Sequence, residues 1–436
     1  MPIRGMILLA VFLPSLPLSF VRPFYGLLWW YIIAFGNPQS EIYYWSVTTM
    51  IPWGLLVAIP TLIGMFLFER NDLRVYRSPE VLMIVVLWIW FTITSFVSTS
   101  TPVFQHHAGD TWAQWGNVSK VLLMTLVTIS LVNSWYRLKV LVGVISAIFG
   151  FFVLKAIPFL IITRGQFRIL GPAQSMIGDN NDFGLALDMT LPIFFFMAQL
   201  TTSRWWRCVY YCLFACTIPA IFFTYSRGAL IGFVVVMGLM LLRVRTRLLL
   251  IPLVLLAAVG AFLFAPQAWR DRMDPQQSAD SSVHSRLNAW AFSSNLANDF
   301  PITGGGFATF TPALYTRYAP EKWEIVGPHS IYFEVLAEHG YPGLALYLTF
   351  MGVCLLGAQR LMRSAKRHGD EEVALYVNLF RFSLLAFLVS GSFLQRAYFD
   401  YSFCIIACLV ALRRVANERW EQDEVAEVEM ADGMIA

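Results

Sequence analysis

Long apolar runs separated by short polar connections dominate this chain. Each is long enough, or nearly so, to cross a bilayer as a helix, which needs about 20 apolar residues. Eleven runs lie near 50–68, 81–99, 119–134, 139–163, 183–200, 207–225, 228–242, 247–265, 341–359, 376–394 and 401–412. Since 58% of the residues are hydrophobic and only 13% are charged, a soluble globular fold is excluded. The pattern predicts an all-α polytopic membrane protein.

The N-terminal segment adds one net crossing to this count. Residues 6–36 contain two shorter apolar runs interrupted by Pro14, Pro17 and Pro23, which suit one crossing with a re-entrant piece, or a tight hairpin. No small-residue cleavage site ends the first run, so we expect the segment to be retained. The expected total is about twelve transmembrane helices.

Basic residues occur in alternate connections and set the expected orientation. By the positive-inside rule these connections and the C-terminus are cytoplasmic. The residues are Arg70, Arg74, Arg77, Arg137, Lys139, Arg204, Arg207, Arg243, Arg245, Arg247, Arg360, Arg363, Lys366, Arg367, Arg413, Arg414 and Arg419. The remaining connections, near 100–118, 164–182, 266–340 and 395–400, then face the periplasm.

This orientation divides the chain into four parts. Residues 1–265 hold the N-terminal membrane helices, about ten spans, and 341–413 hold the C-terminal membrane helices. Between them, 266–340 form an outward-facing helical loop subdomain, and 414–436 form a cytoplasmic tail. A connection as long as 266–340 is unlike a simple turn, and loops of that length tend to carry function.

Several functional classes are disfavoured by what the sequence contains. The net charge of +4 is too small and scattered for nucleic-acid binding. The cysteines lie inside apolar runs and indicate neither a disulfide framework nor a zinc site; we expect Cys208, Cys212 and Cys216 to form a small-residue stripe at a helix contact. The chain has no nucleotide-binding fingerprint. An enzyme acting on the outer side of the membrane would need a lipid-borne activated donor.

Two arginines stand where the positive-inside bias should have removed them. Arg227, in Thr224-Tyr225-Ser226-Arg227-Gly228, lies between two apolar runs with almost no loop. A cation at a membrane edge is costly and marks a functional site, although the side chain can also snorkel to lipid headgroups. Arg286 lies in the long outer loop, where a solvated helix face is the alternative. Arg227 is therefore predicted to be functional, and Arg286 is a second candidate.

A histidine at a predicted helix start is the best candidate for acid-base chemistry. Ser330 suits an N-cap, residues 331–338 a two-turn helix, Gly340 its end, and Pro342 a block to continuation. His329 therefore lies at the positive end of the helix dipole, which keeps an imidazole neutral and able to accept a proton.

Weaker candidates surround these three residues. Glu334 and Glu338 lie four apart on one helix face, and a solvated acidic face is expected, although either could orient a histidine or an acceptor. His339 directly follows Glu338. Lys155, Arg164 and Arg168 suit lipid headgroups as well as substrate. Gly304-Gly305-Gly306 favours a turn over a phosphate loop. Asp179 and Asp182 favour a helix cap over a divalent metal site, and His106 and His107 have no assigned role.

The order and spacing of these residues resemble the O-antigen ligase family. His329-Ser330, nine residues, then Gly340-Tyr341-Pro342-Gly343 is similar to that family's histidine and glycine element. Arg227 and Arg286 fit its two arginines, and Pro301–Phe307 fits its glycine-bearing segment. The resemblance covers roughly 180–412. The segment before it, including Arg168-Ile169-Leu170-Gly171-Pro172, resembles a branch of O-glycosylation ligases.

The resemblance implies a GT-C-type glycosyltransferase in a bacterial inner membrane. Such enzymes move a preassembled glycan from undecaprenyl pyrophosphate to an acceptor hydroxyl, with inversion and without a metal or other cofactor. It implies His329 as catalytic base and Arg227 and Arg286 as pyrophosphate ligands, with Lys155, Arg168, Glu338 and His339 in support.

The acceptor stays open at this point. Lipid A core would give lipopolysaccharide, an acceptor protein would give O-glycosylation, and a growing glycan would give polymerisation. A transporter or flippase for a lipid-linked anion is the more distant alternative, although the repeated halves typical of transporters are missing from the sequence.

Overall fold

A computed structural model describes residues 3–39, 51–69, 73–242 and 251–433, except for 253–254, 257–258, 261–262, 264 and 274. Regular structure in this part of the chain is helical and includes no strand. The α-helices are α1 Ile3–Val21, α2 Pro23–Tyr31, α3 Trp53–Phe68, α4 Pro79–Ser100, α5 Ala108–Leu131, α6 Trp135–Thr163, α7 Asn180–Leu200, α8 Arg204–Phe222, α9 Arg227–Leu241, α10 Gln267–Met273, α11 Pro275–Asp299, α12 Pro312–Tyr318, α13 Ile331–Arg367, α14 Glu371–Ser390 and α15 Asp400–Gly433. Short 3-10 turns lie at Leu73–Arg77, Pro102–His107 and Gly391–Phe393, and a π turn at Ile32–Gly36 extends α2.

Among the described residues, six helices are long and apolar enough to cross a bilayer: α4, α6, α7, α8, α13 and α14, the last extended to Phe393. Four shorter apolar helices, at Met6–Val21, Pro23–Gly36, Trp53–Phe68 and Arg227–Leu241, accompany them. The chain is therefore an all-helical polytopic membrane protein. The total of about twelve crossings stays a prediction, and the span expected at 247–265 lies largely outside the described residues.

Helix α7 is the central helix of the bundle. It packs against α14 and α8, and 83% of its most apolar window is buried. Its N-cap is Asp179, whose carboxylate accepts a hydrogen bond of 2.8 Å from the backbone N–H of Asn181, as expected for this acidic segment. The N-terminal end of α7 is thus fixed in the middle of the molecule, where Asp182 lies one turn from the cap.

Ion pairs link the helices at the end opposite to Asp179. Arg137 binds Glu69 at 2.7 Å, Arg413 binds Glu80 at 2.7 Å, and Lys139 binds Glu372 at 2.8 Å. Residues predicted to be cytoplasmic thus meet at one end of the bundle. Arg70, Arg243, Arg245 and Arg247 lie outside the described residues. Helix α15 continues without a break through the predicted boundary between 413 and 414.

The predicted outer loop contains α10, α11 and α12. Helix α11 packs against α13 and α12 around a small apolar cluster that includes Phe292, Leu296 and Tyr315. Asn288 joins the far part of the loop through two hydrogen bonds with the backbone of Glu321, of 2.9 and 2.8 Å.

One predicted helix boundary is wrong in part. The helix that begins after the N-cap Ser330 does not stop at Gly340: it kinks there, at φ 69 and ψ −174, and resumes to Arg367. Pro342 lies in the first turn after the kink. The backbone N–H groups of a first turn make no hydrogen bond within the helix, so a proline there removes none. The proline therefore starts the second segment of α13 and does not block it.

Candidate active site

A strained turn between α8 and α9 places Arg227. Tyr225 has a left-handed backbone (φ 61), and its hydroxyl donates to the carbonyl of Gly165 at 2.6 Å. The side chain of Asn180 donates to the carbonyl of Thr224 at 2.7 Å, which ties the turn to the start of α7. Arg227 is the first residue of α9 and is half-buried. The position of Arg227, at the same end of the bundle as Asn180, is therefore set by three elements.

Two further arginines are held close to this turn. The backbone N–H of Ile169 donates to the carbonyl of Phe223 at 2.9 Å, which places Arg168 beside Tyr225. Trp269 on α10 stacks on Phe222 with ring centroids 4.1 Å apart. That contact brings α10, and with it Arg272, against the end of α8.

Helix α11 brings Arg286 to the histidine. Trp290, one turn after Arg286, donates its indole N–H to the carbonyl of Pro328 at 2.7 Å and stacks on Phe333 at 4.9 Å. Residues four apart share one face of a helix, so Arg286 points toward the same turn as Trp290. Helix α11 thus places Arg286 close to the segment that contains His329.

The arginines form one cluster, comprising Arg168, Arg227, Arg272 and Arg286. Burial and then the neighbouring charges of Arg227 and Arg272 lower the pKa of Arg286. Burial, Arg168 and Arg227 lower the pKa of Arg272 in the same way. Guanidinium groups stay charged at any physiological pH, so their mutual repulsion is relieved best by a bound polyanion.

His329 lies next to this cluster in an unusual conformation. It precedes the N-cap Ser330 as predicted, and its backbone is left-handed, with φ 43. Such a conformation costs a non-glycine residue about 1–3 kcal/mol and is typical of functional sites. Burial lowers the pKa of His329, and the charges of Arg286 and Arg396 lower it further, while Asp179 raises it. The imidazole is therefore neutral at neutral pH, through burial and cations rather than through the helix dipole alone.

A cavity of about 470 Å³ opens beside His329. Polar side chains that line it include Gln114, Asn181, Asp182, Glu334, Glu338 and Arg396. The four clustered arginines are not among its lining residues. His329 connects the cavity with the arginine cluster. It lines the cavity, and the charge of Arg286 lowers its pKa.

Glu334 and Glu338 are buried, so the predicted solvated acidic face is wrong. Glu334 accepts a hydrogen bond of 2.9 Å from the backbone N–H of Ala397. Glu338 accepts from the hydroxyl of Tyr398 at 2.7 Å and from the N–H of Ala308 at 3.1 Å. Both carboxylates therefore hold the loop after α14 and the glycine segment against the start of α13.

Asp182 pairs with a cation that the sequence analysis did not single out. The guanidinium of Arg396, in the connection between α14 and α15, binds the Asp182 carboxylate at 2.5 Å. Asp179 caps α7, so the acidic segment serves the helix start and this ion pair.

The glycine segment caps a helix end instead of binding phosphate. The N–H groups of Gly305 and Gly306 donate to the carbonyls of Ala337 and Glu338 at 2.8 and 2.9 Å, near the end of the first helical segment of α13. A Cβ at Gly340 would lie 2.6 Å from the carbonyl oxygen of Pro301. The two glycine motifs of the sequence thus form one interlock, which satisfies the carbonyls at the kink.

The remaining candidates lie farther from the cluster. His339 is fully buried, stacks on Phe91 at 4.2 Å and bonds Thr94 at 2.7 Å. Lys155 is exposed on α6, 6.0 Å from the ring of Phe152.

The two adjacent histidines outside the cluster bind the outer loop. His106 bonds Thr311 at 2.9 Å and His107 bonds the carbonyl of Gly305 at 3.2 Å. The expected stripe of Cys208, Cys212 and Cys216 at a helix contact is not buried, because Cys208 and Cys212 are exposed.

Sequence reasoning missed Arg272 and Arg396. Both lie in connections predicted to face outward, where a surviving cation is the same signal that identified Arg286. Nothing in the spacing showed that Arg272 would join the cluster, because α10 is placed by the stacking of Trp269 on Phe222.

Comparison with known families agrees with this geometry. Residues 212–348 match the family model described as O-Antigen ligase, a stretch that contains Arg227, Arg272, Arg286 and His329. Residues 3–179 match a family of unknown function. No curated protein matches the sequence. The chain therefore contains, at residues 212–348, a domain that matches the O-antigen ligase family.

Proposed function

We propose that this protein is an O-antigen ligase that transfers a preassembled glycan from undecaprenyl pyrophosphate to a sugar hydroxyl of lipid A core. The observation that best supports this proposal is the position of His329. Its neutral imidazole lies in a strained turn beside the arginine cluster. The reaction would occur on the periplasmic face of the bacterial inner membrane. It would use neither a metal nor another cofactor.

The arginines would bind the leaving group. As the anomeric C–O bond breaks, its electron pair departs with the lipid pyrophosphate, whose negative charge grows. Arg227 and Arg286 would bind its oxygens, because a guanidinium fork matches phosphate geometry and stays charged. One such donor in a partly dry site contributes about 3 to 4 kcal/mol to stabilising the transition state.

His329 would act as the base. The acceptor O–H bond breaks, its proton passes to the imidazole, and the oxygen forms the new bond to the anomeric carbon from the face opposite the pyrophosphate. Attack from that face inverts the anomeric configuration. General base catalysis of this kind contributes about 10² to 10⁴-fold.

Two alternatives use the same donor chemistry. A protein O-glycosylation ligase would direct the glycan to a Ser or Thr hydroxyl, and an O-antigen polymerase would direct it to a growing glycan. A transporter for lipid-linked anions would use the arginines alone and would have no need of a neutral imidazole in a strained turn.

The test is transfer by the purified chain from a lipid-pyrophosphate glycan to lipid A core, with the product's anomeric configuration read by NMR. We expect His329→Ala and Arg286→Ala to remove measurable transfer while His368→Ala, at the opposite end of the bundle against Trp420, leaves it unchanged. Wild-type transfer by His329→Ala would refute the base assignment. Activity abolished by a chelator and restored by magnesium would assign Asp179 and Asp182 a catalytic metal.

A further inference from the structure

A second cavity lies at the end of the bundle opposite to Asp179. Its volume is about 630 Å³, and α6, α7, α8 and α14 contribute its walls; we call it the α6–α8 cavity. Helix α7 has 21 residues, a length of about 31 Å, which is close to the hydrocarbon thickness of a bilayer. Because Asp179 caps one end of α7 and Thr201 follows the other, the part of the cavity lined by Thr201 lies near the opposite membrane interface.

The α6–α8 cavity is polar at this interface and apolar toward the bilayer interior. Lys139 and Glu372 line the polar end together with Thr201, and their Nζ and Oε1 atoms are 2.8 Å apart. On α6 the lining continues to Ala147, eight residues or about 12 Å beyond Lys139. The deeper walls are mainly apolar and include Ala147, Met197, Val209 and Leu213. This gradient suits an amphipathic ligand whose polar end lies at the interface.

The cavity opens sideways between α6 and α8. Ala147 is exposed, and a Cβ at Gly143 would meet no atom within 4 Å. Helix α8 is the least enclosed of the six long apolar helices in the described part of the chain, with 28% of its most apolar window buried. Farther in, the two helices close on each other, since a Cβ at Gly150 would lie 3.2 Å from Leu213. A lipid therefore has a way in from the bilayer and a floor to stop against.

The polar end presents one positive and one negative charge. The side chains of Lys139 and Glu372 are 46% and 35% exposed, so their ion pair is partly hydrated and contributes little by itself. An ammonium has three donors, and a carboxylate has about four acceptor positions. Glu372 accepts from the indole of Trp135 at 3.3 Å and from Arg419 at 3.3 Å in addition to Lys139. Both charges thus stay fixed in place while each keeps hydrogen-bonding capacity for a ligand.

We propose that the α6–α8 cavity binds an aminophospholipid from the adjacent leaflet, with the lipid phosphate at Lys139 and the lipid ammonium at Glu372. Such a headgroup carries both charges a short distance apart, as the cavity does. One acyl chain follows the apolar wall toward Leu213, and the remainder of the lipid stays in the bilayer. This site is separate from the proposed transfer reaction and lies in the leaflet predicted to be cytoplasmic.

Other phospholipid headgroups match these charges less well. A phosphatidylglycerol headgroup is only negative, and Glu372 repels it in a site that is partly withdrawn from water. Phosphatidylcholine has both charges, but its trimethylammonium has no N–H to donate to the carboxylate. Hydrogen bonds between charged groups are stronger than those between neutral ones, so the lost donor weakens binding. Phosphatidylethanolamine, with a primary ammonium, is the lipid that fits both groups.

Headgroup preference tests this assignment directly. The full chain in detergent would be offered equal amounts of phosphatidylethanolamine, phosphatidylcholine and phosphatidylglycerol with identical acyl chains, and the retained lipids would be counted by native mass spectrometry. We expect phosphatidylethanolamine to be retained at least about fivefold over each of the other two. Equal retention of the three lipids, or stronger retention of either competitor, would overturn the proposal.

The ammonium position is tested by a change of charge at constant shape. In Glu372→Gln the preference for phosphatidylethanolamine over phosphatidylcholine should fall below about twofold, since the charged acceptor is lost. Glu371→Gln is the matched control, because Glu371 is exposed and does not line the cavity, and it should keep the full preference. An undiminished preference in Glu372→Gln would contradict the assignment.

Filling the cavity tests the place of binding without touching the ion pair. Gly143→Leu puts a side chain into the open space beside Gly143 and should lower retention of phosphatidylethanolamine at least about fivefold. Gly352→Leu makes the same change on α13, where a Cβ also meets no atom within 4 Å and no cavity wall is involved, and should retain the lipid as the wild type does. Full retention by Gly143→Leu would show that the lipid binds elsewhere.

Thermal unfolding separates loss of binding from loss of folding. A ligand that binds only the folded state raises the unfolding midpoint. Phosphatidylethanolamine should therefore raise the midpoint of the wild type and of Gly352→Leu, and not that of Gly143→Leu, whose midpoint without lipid should equal that of the wild type. An equal rise in all three chains would overturn the proposal.

Discussion

At the scale of single residues, His329 depends on groups from several elements. Burial and the positive charges of Arg286 and Arg396 lower the pKa of His329, whereas the charge of Asp179 raises it. The net lowering keeps the imidazole neutral. Its backbone is left-handed, and the adjacent carbonyl of Pro328 accepts a hydrogen bond from the Trp290 indole. Because the group must be neutral to accept a proton, its low pKa keeps it competent to pH values below the ordinary range of histidine.

The pH dependence of transfer should reflect this environment. Activity should fall only when the pH drops below the lowered pKa of His329, since protonation removes the base. Asp179→Asn keeps a capping oxygen but removes the charge that raises this pKa, so the acid limb of kcat/KM should move to lower pH. The measurement is a pH profile of transfer. Asp110→Asn, exposed in the first turn of α5, should leave the limb in place, and a shift to higher pH in Asp179→Asn would contradict the assignment.

Arg272 is expected to share in binding the pyrophosphate. Arg272→Gln should lower kcat/KM by about 10- to 100-fold, somewhat less than loss of Arg286, because the remaining arginines still hold the leaving group. Arg270→Gln, two residues earlier on the same helix with its guanidinium on the carbonyl of Leu263, is the matched control and should change transfer less than about twofold. Equal losses in the two variants would show that net charge, and not position, matters.

At the scale of secondary-structure elements, the interlock of two glycine segments sets the geometry of the site. Gly305 and Gly306 cap the first part of α13, and the kink at Gly340 turns the second part into the bundle. The short first part carries Glu334 and Glu338, whose carboxylates bind the backbone of Ala397 and Ala308. The glycines therefore act on the site through the placement of this short helix.

Substitution at the kink should destabilise the fold. Gly340→Ala must keep φ 69 and would bring its Cβ within 2.6 Å of the carbonyl oxygens of Pro301 and Ile302. We expect a loss of about 2 kcal/mol or more in the free energy of unfolding. Gly352→Ala on the same helix meets no atom within 4 Å and should be neutral or slightly stabilising. Thermal unfolding of both variants in detergent is the measurement; equal stabilities would contradict the interlock.

At the scale of the whole molecule, the two ends of the bundle have different chemistry. Ion pairs such as Arg137 with Glu69 and Arg413 with Glu80 hold helices together at one end. The arginine cluster, His329 and the cavity lie at the other. This separation is what an enzyme needs if its lipid-borne substrates are reached from one face of the membrane.

The orientation can be tested by labelling. In a background without the native cysteines, Trp323→Cys in the outer loop should react with a membrane-impermeant maleimide on intact spheroplasts, because this position is 89% exposed. Val425→Cys in the tail should react only after permeabilisation. Labelling of Val425→Cys in intact spheroplasts, or protection of Trp323→Cys, would reverse the predicted topology.

Some features of the site could be predicted because they depend on local chemistry. Arg227 and Arg286 stood out as cations where membrane bias removes them, and His329 as the residue before a helix cap. The cap at Asp179 formed as expected, and Ser330 lies at the N-cap position of α13 without a side-chain capping hydrogen bond. The burial of Glu334 and Glu338 could not be predicted. Two carboxylates four residues apart give the same sequence pattern whether the helix face is solvated or covered by a loop.

The sequence by itself determined the fold class, since apolar runs of this length leave the backbone no stable state in lipid except the helix. The sequence also determined which residue types are available for the chemistry. Arginine supplies a positive charge and histidine a base wherever in the fold they lie. Only the tertiary structure decided which of them meet. Arg272 joins Arg227 through the stacking of Trp269, and Arg396 reaches Asp182 across 214 positions of the chain. Contacts of that kind depend on side-chain packing between helices, which hydropathy and local spacing do not encode.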